Sequence, residues 1–293
     1  MSVINTNVKA IVAQNALTAN NRILSKTMEQ LSTGKRINSA ADDAAGLAIS
    51  NKMTSQIRGL NQAVRNANDA ISMIQTAEGG TVEINNMLQR MRELAVQSAN
   101  DTNSAADREF LDLEFKELSQ EIDRIAKMTQ FNKMDLMTGT MPDGQGSGAT
   151  AGVTTFHVGA NGDQIIQATF KNLTTGSGAV LAAVAHASGS GSSAFNISSQ
   201  VGANSAIDTI DDAIKAVDTY RAELGAKVNR LTYTIDNLSN VSMNTSASRS
   251  RVLDTDYAQA TTNLARAQII QQAGTAMLAQ ANQQPASVLS LLQ

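Results

Sequence analysis

The chain has 293 residues with a formal net charge of -3, so it carries no phosphate-neutralising basic excess of the kind a nucleic-acid binder displays. Hydrophobic residues make up 42%, enough for a core, yet aromatics are only 3% and Trp is absent, which disfavours large β-barrels and base-stacking surfaces. Cysteine is absent too, excluding disulfides, thiolate catalysis and Cys-ligated zinc.

The first twenty residues lack the continuous apolar core of a signal peptide, and the most apolar run elsewhere, 179–185, is far too short for a bilayer. The chain reads as soluble when made, with no membrane insertion, so any export would use a route that needs no cleaved signal. Over residues 3–31, Val8, Ile11, Leu17, Leu24, Met28 and Leu31 recur at helical intervals. Gly34 reads as the C-cap, with Lys35 and Arg36 beside the terminal carbonyls. Residues 38–46 read as a connector in which Asp42 and Asp43 favour a new helix start.

A second helix carries the stripe Ile57, Leu60, Val64, Ala67, Ile71 and Ile74, which resumes, shifted in phase, at Ile84, Met87, Met91, Leu94 and Ser98. Gly79 and Gly80 between the two runs cost about 1 kcal/mol each, so one helix with a local irregularity is expected. Residues 100–103 break the run. Ser104 and Asp107 form a capping pair for a third helix with the seam Leu111, Phe115, Leu118, Ile122 and Ile125.

Beyond a Gly-rich stretch at 141–152, residues 153–158 and 164–170 alternate as two strands of a hairpin turning at 159–163. Residues 174–203 are Gly/Ser/Ala-rich and low in charge, and read as an exposed, weakly structured insert or a small satellite. A long heptad seam follows at Ile207, Ile210, Ile214, Val217, Leu224, Val228, Leu231, Ile235 and Leu238, interrupted only by Arg221, with Asn204 and Ser205 as N-cap candidates. At 1.5 Å per residue that helix runs roughly 50 Å and needs partners of similar length.

From 258 onward Arg266 is the only charged side chain. Tyr257, Ala260, Leu264, Ala267, Gly274, Leu278 and Ala281 keep heptad spacing, while Ile269, Ile270, Ala273 and Met277 add further apolar surface. A lone soluble helix shows Lys and Glu to water; this one shows Gln, Ala, Asn and Thr. It suits close packing on several sides. The N-terminal helix can cover one face only, so the others call for further copies of the chain. Without those copies both ends are expected to be largely disordered.

Together these readings give a mainly α fold: an elongated antiparallel helical bundle with paired N- and C-terminal helices, a β-hairpin and a short variable insert. The expected division puts 1–43 with 255–293 in a terminal coiled coil, 44–175 with 204–254 in a helical bundle bearing the hairpin, and 176–203 in the insert. Assembly residues are expected at Val8, Ile11, Leu17, Leu24, Leu31, Tyr257, Leu264, Ile270, Met277, Leu278, Leu289 and Leu292.

Nothing in the sequence reads as an enzyme, and no cofactor, metal or nucleic acid is implied. His157 and His186 lack i, i+4 spacing and a carboxylate cluster. The glycines at 144–148 and 189–191 lack the Lys-Ser/Thr and strand-turn-helix context of a phosphate loop. Asp42-Asp43 and Asp211-Asp212 point about 100° apart on a helix, so helix-start electrostatics explains them better than acid/base chemistry. The twelve methionines read as core filler. Arg90, Leu94 and Gln97 share one face of the second helix, and Glu114 of the third could lie beside them in a packing and salt-bridge patch.

The motifs NSAADDAAGLAIS (38–50), GLNQAVRNANDAIS (59–72), LQRMRELAVQSAN (88–100), RAQIIQQAGTAMLAQAN (266–282) and VLSLLQ (288–293) resemble the terminal signatures of bacterial flagellin. FHVGAN (156–161) is similar to the family's hairpin motif. The resemblance covers about the first 170 and last 90 residues; the centre departs from larger members, so outer-surface functions do not carry over. It implies a filament subunit exported unfolded through the flagellar type III apparatus, with an export chaperone, a filament cap and hook-junction proteins as partners. It further implies that Arg90, Leu94, Gln97 and Glu114 contact the flagellin-sensing Toll-like receptor of animal hosts. A hook–filament junction protein is the alternative within the class; an adhesin or a coiled-coil enzyme regulator is the alternative outside it.

Overall fold

The computed structural model describes residues 6–139, 152–175, 180–181 and 196–290, with side chains described to Gln283. In chain order the elements are α1 (Val8–Thr33), α2 (Ala44–Ala99), α3 (Ala105–Met128), β1 (Gln130–Phe131), β2 (Met134–Asp135), β3 (Val153–His157), β4 (Ile165–Thr169), α4 (Gln200–Leu253) and α5 (Tyr257–Ser290). They divide into two compact units, Met1–Ile57 with Met243–Gln293, and Arg58–Ser242. The dividing points fall inside α2 and α4, whereas the sequence reading placed them at the connectors.

In the unit Arg58–Ser242 the middle and end of α2, all of α3 and most of α4 bury one apolar stripe each. Ile74, Ile84, Leu88, Met91 and Leu94 of α2 meet Phe115 and Ile122 of α3 and Ile210, Val217, Leu224 and Leu231 of α4 in one cluster. The seam of α4 is wider than the heptad reading allowed. Ala203, Ala206, Ala213 and Tyr220 are all buried in it, and Tyr220 takes the place in the stripe that Arg221 was read as interrupting. Arg221 lies one residue to the side, with its Nε buried and unpartnered. Helix α4 also starts earlier than expected. Ser199 Oγ accepts from the Gly202 N–H at 3.2 Å, so Ser199 is the cap, and Asn204 and Ser205 lie within the first turns.

Helix α2 is continuous through Gly79 and Gly80. A Cβ on Gly79 would meet nothing, but one on Gly80 would stand 2.6 Å from Met137 Cε and 2.9 Å from Thr129 Oγ1. Gly80 is thus where the loop after α3 packs tightly against α2. That loop forms the β1–β2 hairpin, which the sequence reading did not anticipate; Asn132 and Lys133 take positive φ at its turn. The capping box at the start of α3 is present as read, between Ser104 and Asp107.

Strands β3 and β4 pair antiparallel from Val153↔Thr169 to His157↔Ile165. Ile166, Ala168 and Phe170 alternate inward from β4. The hairpin is held on α2 by Asn66, whose Nδ2 donates to the His157 carbonyl at 3.0 Å, and by Ala160 against Gly59. His157 itself is exposed; His186 and the glycine runs at 144–148 and 189–191 lie outside the described residues.

The insert is not uniformly exposed where it is described. Leu181 and Ile197 are fully buried, Val180 N–H donates to Asn172 O at 2.9 Å, and Asp112 Oδ1 accepts from Ile197 N–H at 2.8 Å. Single apolar residues in a Gly/Ser-rich stretch anchor its two ends, a signal that composition averages away.

The terminal helix pair and the Arg90 patch

In the unit Met1–Ile57 with Met243–Gln293, α1 and α5 lie antiparallel. Asn7 caps α1, its side chain accepting from Ala10 N–H, and its Nδ2 donates to Ala281 O at 2.7 Å. Asn20 Nδ2 donates to Ala267 O at 2.8 Å, and Tyr257 OH donates to Leu31 O at 3.3 Å. Leu17, Leu24, Leu31, Leu264 and Leu278 are half-buried along this seam, and Ala260 and Ala267 are buried. Small residues let the backbones approach: a Cβ on Gly274 would come within 3.2 Å of Leu17 Cδ1.

The seam consumes one stripe of each helix. Val8, Ile11, Val12 and Ile23 on α1 and Ile269, Ile270 and Met277 on α5 stay about half or more exposed, Val8 at 58% and Ile269 at 65%. Tyr257 is also exposed except for its hydroxyl bond. The Leu289 side chain and Leu292 lie outside the described residues.

The chain leaves α1 through Gly34, whose φ of 69° is the left-handed cap anticipated from sequence. Its N–H donates to the Gln30 carbonyl at 2.9 Å, and Lys35 N–H donates to Thr33 Oγ1 at 3.3 Å. Arg36 turns instead to the end of α4. Arg36 donates its N–H to Leu253 O at 2.7 Å and its guanidinium to Val252 O at 2.8 Å, and Thr255 N–H donates to Gly34 O at 3.0 Å.

The two aspartates that follow have separate tasks. Asp43 Oδ1 accepts from Gly46 N–H at 2.8 Å and caps α2. Asp42 organises the connector: Lys26 stands 2.8 Å away, and the N–H groups of Ser39 and Asn38 donate at 3.0 and 3.1 Å. These partners, the Lys26 ammonium first, hold the Asp42 carboxyl well below the usual carboxylate range. Asp211, read as a helix-start residue, pairs with Arg92 at 2.6 Å inside α4, which lowers its pKa.

The Arg90 patch forms in part. Arg90 donates through Nε and a terminal nitrogen to Glu114 Oε1 at 3.0 and 2.8 Å and through the other to Glu93 at 3.0 Å, so its pKa is raised. Gln97 is exposed beside them, but Leu94 is 1% exposed and belongs to the core. Its 4–3 spacing with Arg90 and Gln97 puts it on the flank of the core stripe made by Met91, Ala95 and Ser98, and the bundle claims it.

Comparison with known proteins places this architecture. A family model described as the bacterial flagellin N-terminal helical region matches residues 4–141, and one described as its C-terminal helical region matches residues 207–292. The flagellar filament 33 kDa core protein of Treponema phagedenis and a flagellin of Halalkalibacterium halodurans are each 46% identical over 290 residues, 99% of this chain and 99% of theirs. A solved structure of a flagellar hook-associated protein from Vibrio parahaemolyticus shares the fold, with a TM-score of 0.56 over 73% of this chain and 100% of that one, at 17% identity.

The chain is therefore a helical structural protein of the bacterial flagellum. It belongs to the bacterial flagellin family, and its function is that of a structural subunit of the extracellular flagellar filament.

Proposed function

We propose that the α1/α5 pair is the surface through which copies of this chain pack around one another. Leu17, Leu24, Leu31, Leu264 and Leu278 close the pair within one subunit. Val8, Ile11, Tyr257, Ile270 and Met277 face neighbouring copies, with Leu289 and Leu292 continuing that role by sequence. The observation that carries this reading is the row of large apolar side chains left in water on both helices. Burying the exposed part of each removes roughly 1 kcal/mol of unfavourable hydration, so the row in sum favours packing against neighbouring copies.

The test is Ile270→Glu in the full chain. Ile270 is 49% exposed, so the free chain should keep its helix content while elongation from filament seeds stops. Normal elongation by this variant would overturn the assignment. A chain cut back to residue 257 should likewise stay monomeric, whereas an adhesin or other binding module would keep its activity. Electron microscopy separates a filament subunit, which grows long filaments from seeds, from a hook–filament junction protein, which does not.

The family resemblance supports the remaining partners: export unfolded through the type III apparatus, an export chaperone, a filament cap, hook-junction proteins and recognition of the free chain by the host flagellin-sensing Toll-like receptor. For the receptor, the exposed groups Arg90, Gln97 and Glu114 are the contact atoms. Leu94 acts from beneath, by holding that part of α2 in place.

A further inference from the structure

The twelve methionines do not share one environment. Met73, Met91 and Met137 are 3%, 0% and 0% exposed in the bundle core, as core filler would be. Met28 on α1 and Met277 on α5 are 52% and 65% exposed. Met277 lines a largely apolar trough between the two helices with Val8, Val12, Ala13, Ile270 and Gly274, which Lys9 and Gln280 also line.

We propose that Met28 and Met277 are oxidation sites through which peroxide reversibly blocks assembly of the free chain. The inference rests on the assembly role given above to the α1/α5 pair. Oxygen transfer from a peroxide forms an S–O bond as the O–O bond breaks; the sulfur gives up an electron pair, and the peroxide leaves as water. The product is a sulfoxide, a strong hydrogen-bond acceptor on a side chain that was apolar. In the free chain water satisfies that oxygen. Packed against a neighbouring copy, that bulkier, polar group must be stripped of water and set among apolar side chains such as those around Met277, which weakens packing by roughly fivefold or more for each group. A dithiol-dependent sulfoxide reductase reverses the change, with the oxygen leaving as water and the dithiol becoming a disulfide. Once copies enclose the pair, the thioethers are shielded, so the modification acts before incorporation and not after it.

The experiment treats the unassembled full chain with hydrogen peroxide, maps sulfoxides by peptide mass spectrometry and measures elongation from untreated filament seeds. Met28 and Met277 should oxidise well ahead of Met73, Met91 and Met137, and elongation should fall fivefold or more and return after reductase treatment. Met128 and Met243 are equally exposed, so a Met28→Leu/Met277→Leu variant assigns the effect. Compared with its own untreated rate, that variant should lose little on oxidation. Oxidised chain carrying both sulfoxides that elongates at the untreated rate overturns the proposal. So does a loss that reductase cannot reverse, or one that persists in the double variant. An untreated chain that never elongates overturns the assembly reading, and this inference with it.

Discussion

Asn20 Nδ2 reaches across from α1 to the backbone carbonyl of Ala267 on α5 at 2.8 Å, and Asn20 is only 5% exposed. A buried amide in a seam made mostly of apolar and small residues favours one register, because a slide leaves it buried without a partner.

Asn20→Ala should therefore loosen the pair by about 1 kcal/mol, roughly fivefold in its opening equilibrium. Millisecond hydrogen exchange on the full chain reads this as faster exchange along α1 and α5, with no change in the bundle core. Equal protection in the two proteins would rule out a register role.

Two adjacent glycines of α2 should respond in opposite directions. Gly79→Ala meets nothing and should raise stability by about 0.5–1 kcal/mol through helix propensity. Gly80→Ala drives a methyl into Met137 and Thr129, where overpacking of about 1–3 kcal/mol outweighs the same gain. Urea unfolding of both variants checks the contrast, which fails if both shift the midpoint the same way.

The Asp42 carboxyl carries a pH signature. Its folded-state pKa lies below the unfolded value of about 3.9, so its contribution is complete above that pH and drains away as the solution is acidified. Asp42→Asn should destabilise the terminal unit at neutral pH, and the gap between variant and parent should narrow below about pH 4. Thermal melts across that range test it; a gap independent of pH would exclude the carboxylate as the cause.

At the Arg90 patch, stability and recognition should separate. The Arg90–Glu114 pair has side chains 48% and 46% exposed, and pairs so open to solvent contribute little to stability. Arg90→Ala should thus leave the melting temperature nearly unchanged while reducing host-receptor signalling by the free chain. Leu94→Ala should cost about 2–5 kcal/mol of stability, so a signalling loss there reports on the bundle. Full signalling by Arg90→Ala would remove Arg90 from the contact.

Much of this fold was legible because long helices repeat their message. The seams of α2 and α3, the Ser104–Asp107 box, the Gly34 cap and the β3–β4 hairpin each combine a period with a terminator, two signals that agree. The readings that failed depended on a single cue. Ala203 and Ala206 bury as completely as Ile210, and Ala213 nearly so, but they carry little hydrophobic weight, so the sequence pattern shows α4 starting late and its seam narrow. Tyr220 lost its place to Arg221 because heptad spacing drifts from the true helical period over many turns. The β1–β2 turn had one available signal, an Asn before Lys133 between Phe131 and Met134, and two-residue strands leave no alternation to read. Leu94 shows the limit of arguing from a face: spacing groups side chains, and only packing decides which of them reach water.

The bonds from Arg36 to Leu253 and from Thr255 to Gly34 tie together stretches that are more than two hundred positions apart along the chain. A free coil would rarely bring such distant points into register, since ring closure grows costlier with every residue enclosed. Once the intervening polypeptide has collapsed, its two exits emerge already near each other, and the knot is cheap to tie. Protection of α1 and α5 should therefore appear after that of the bundle core when refolding is followed by pulsed hydrogen exchange, leaving the ends competent to meet a neighbour last.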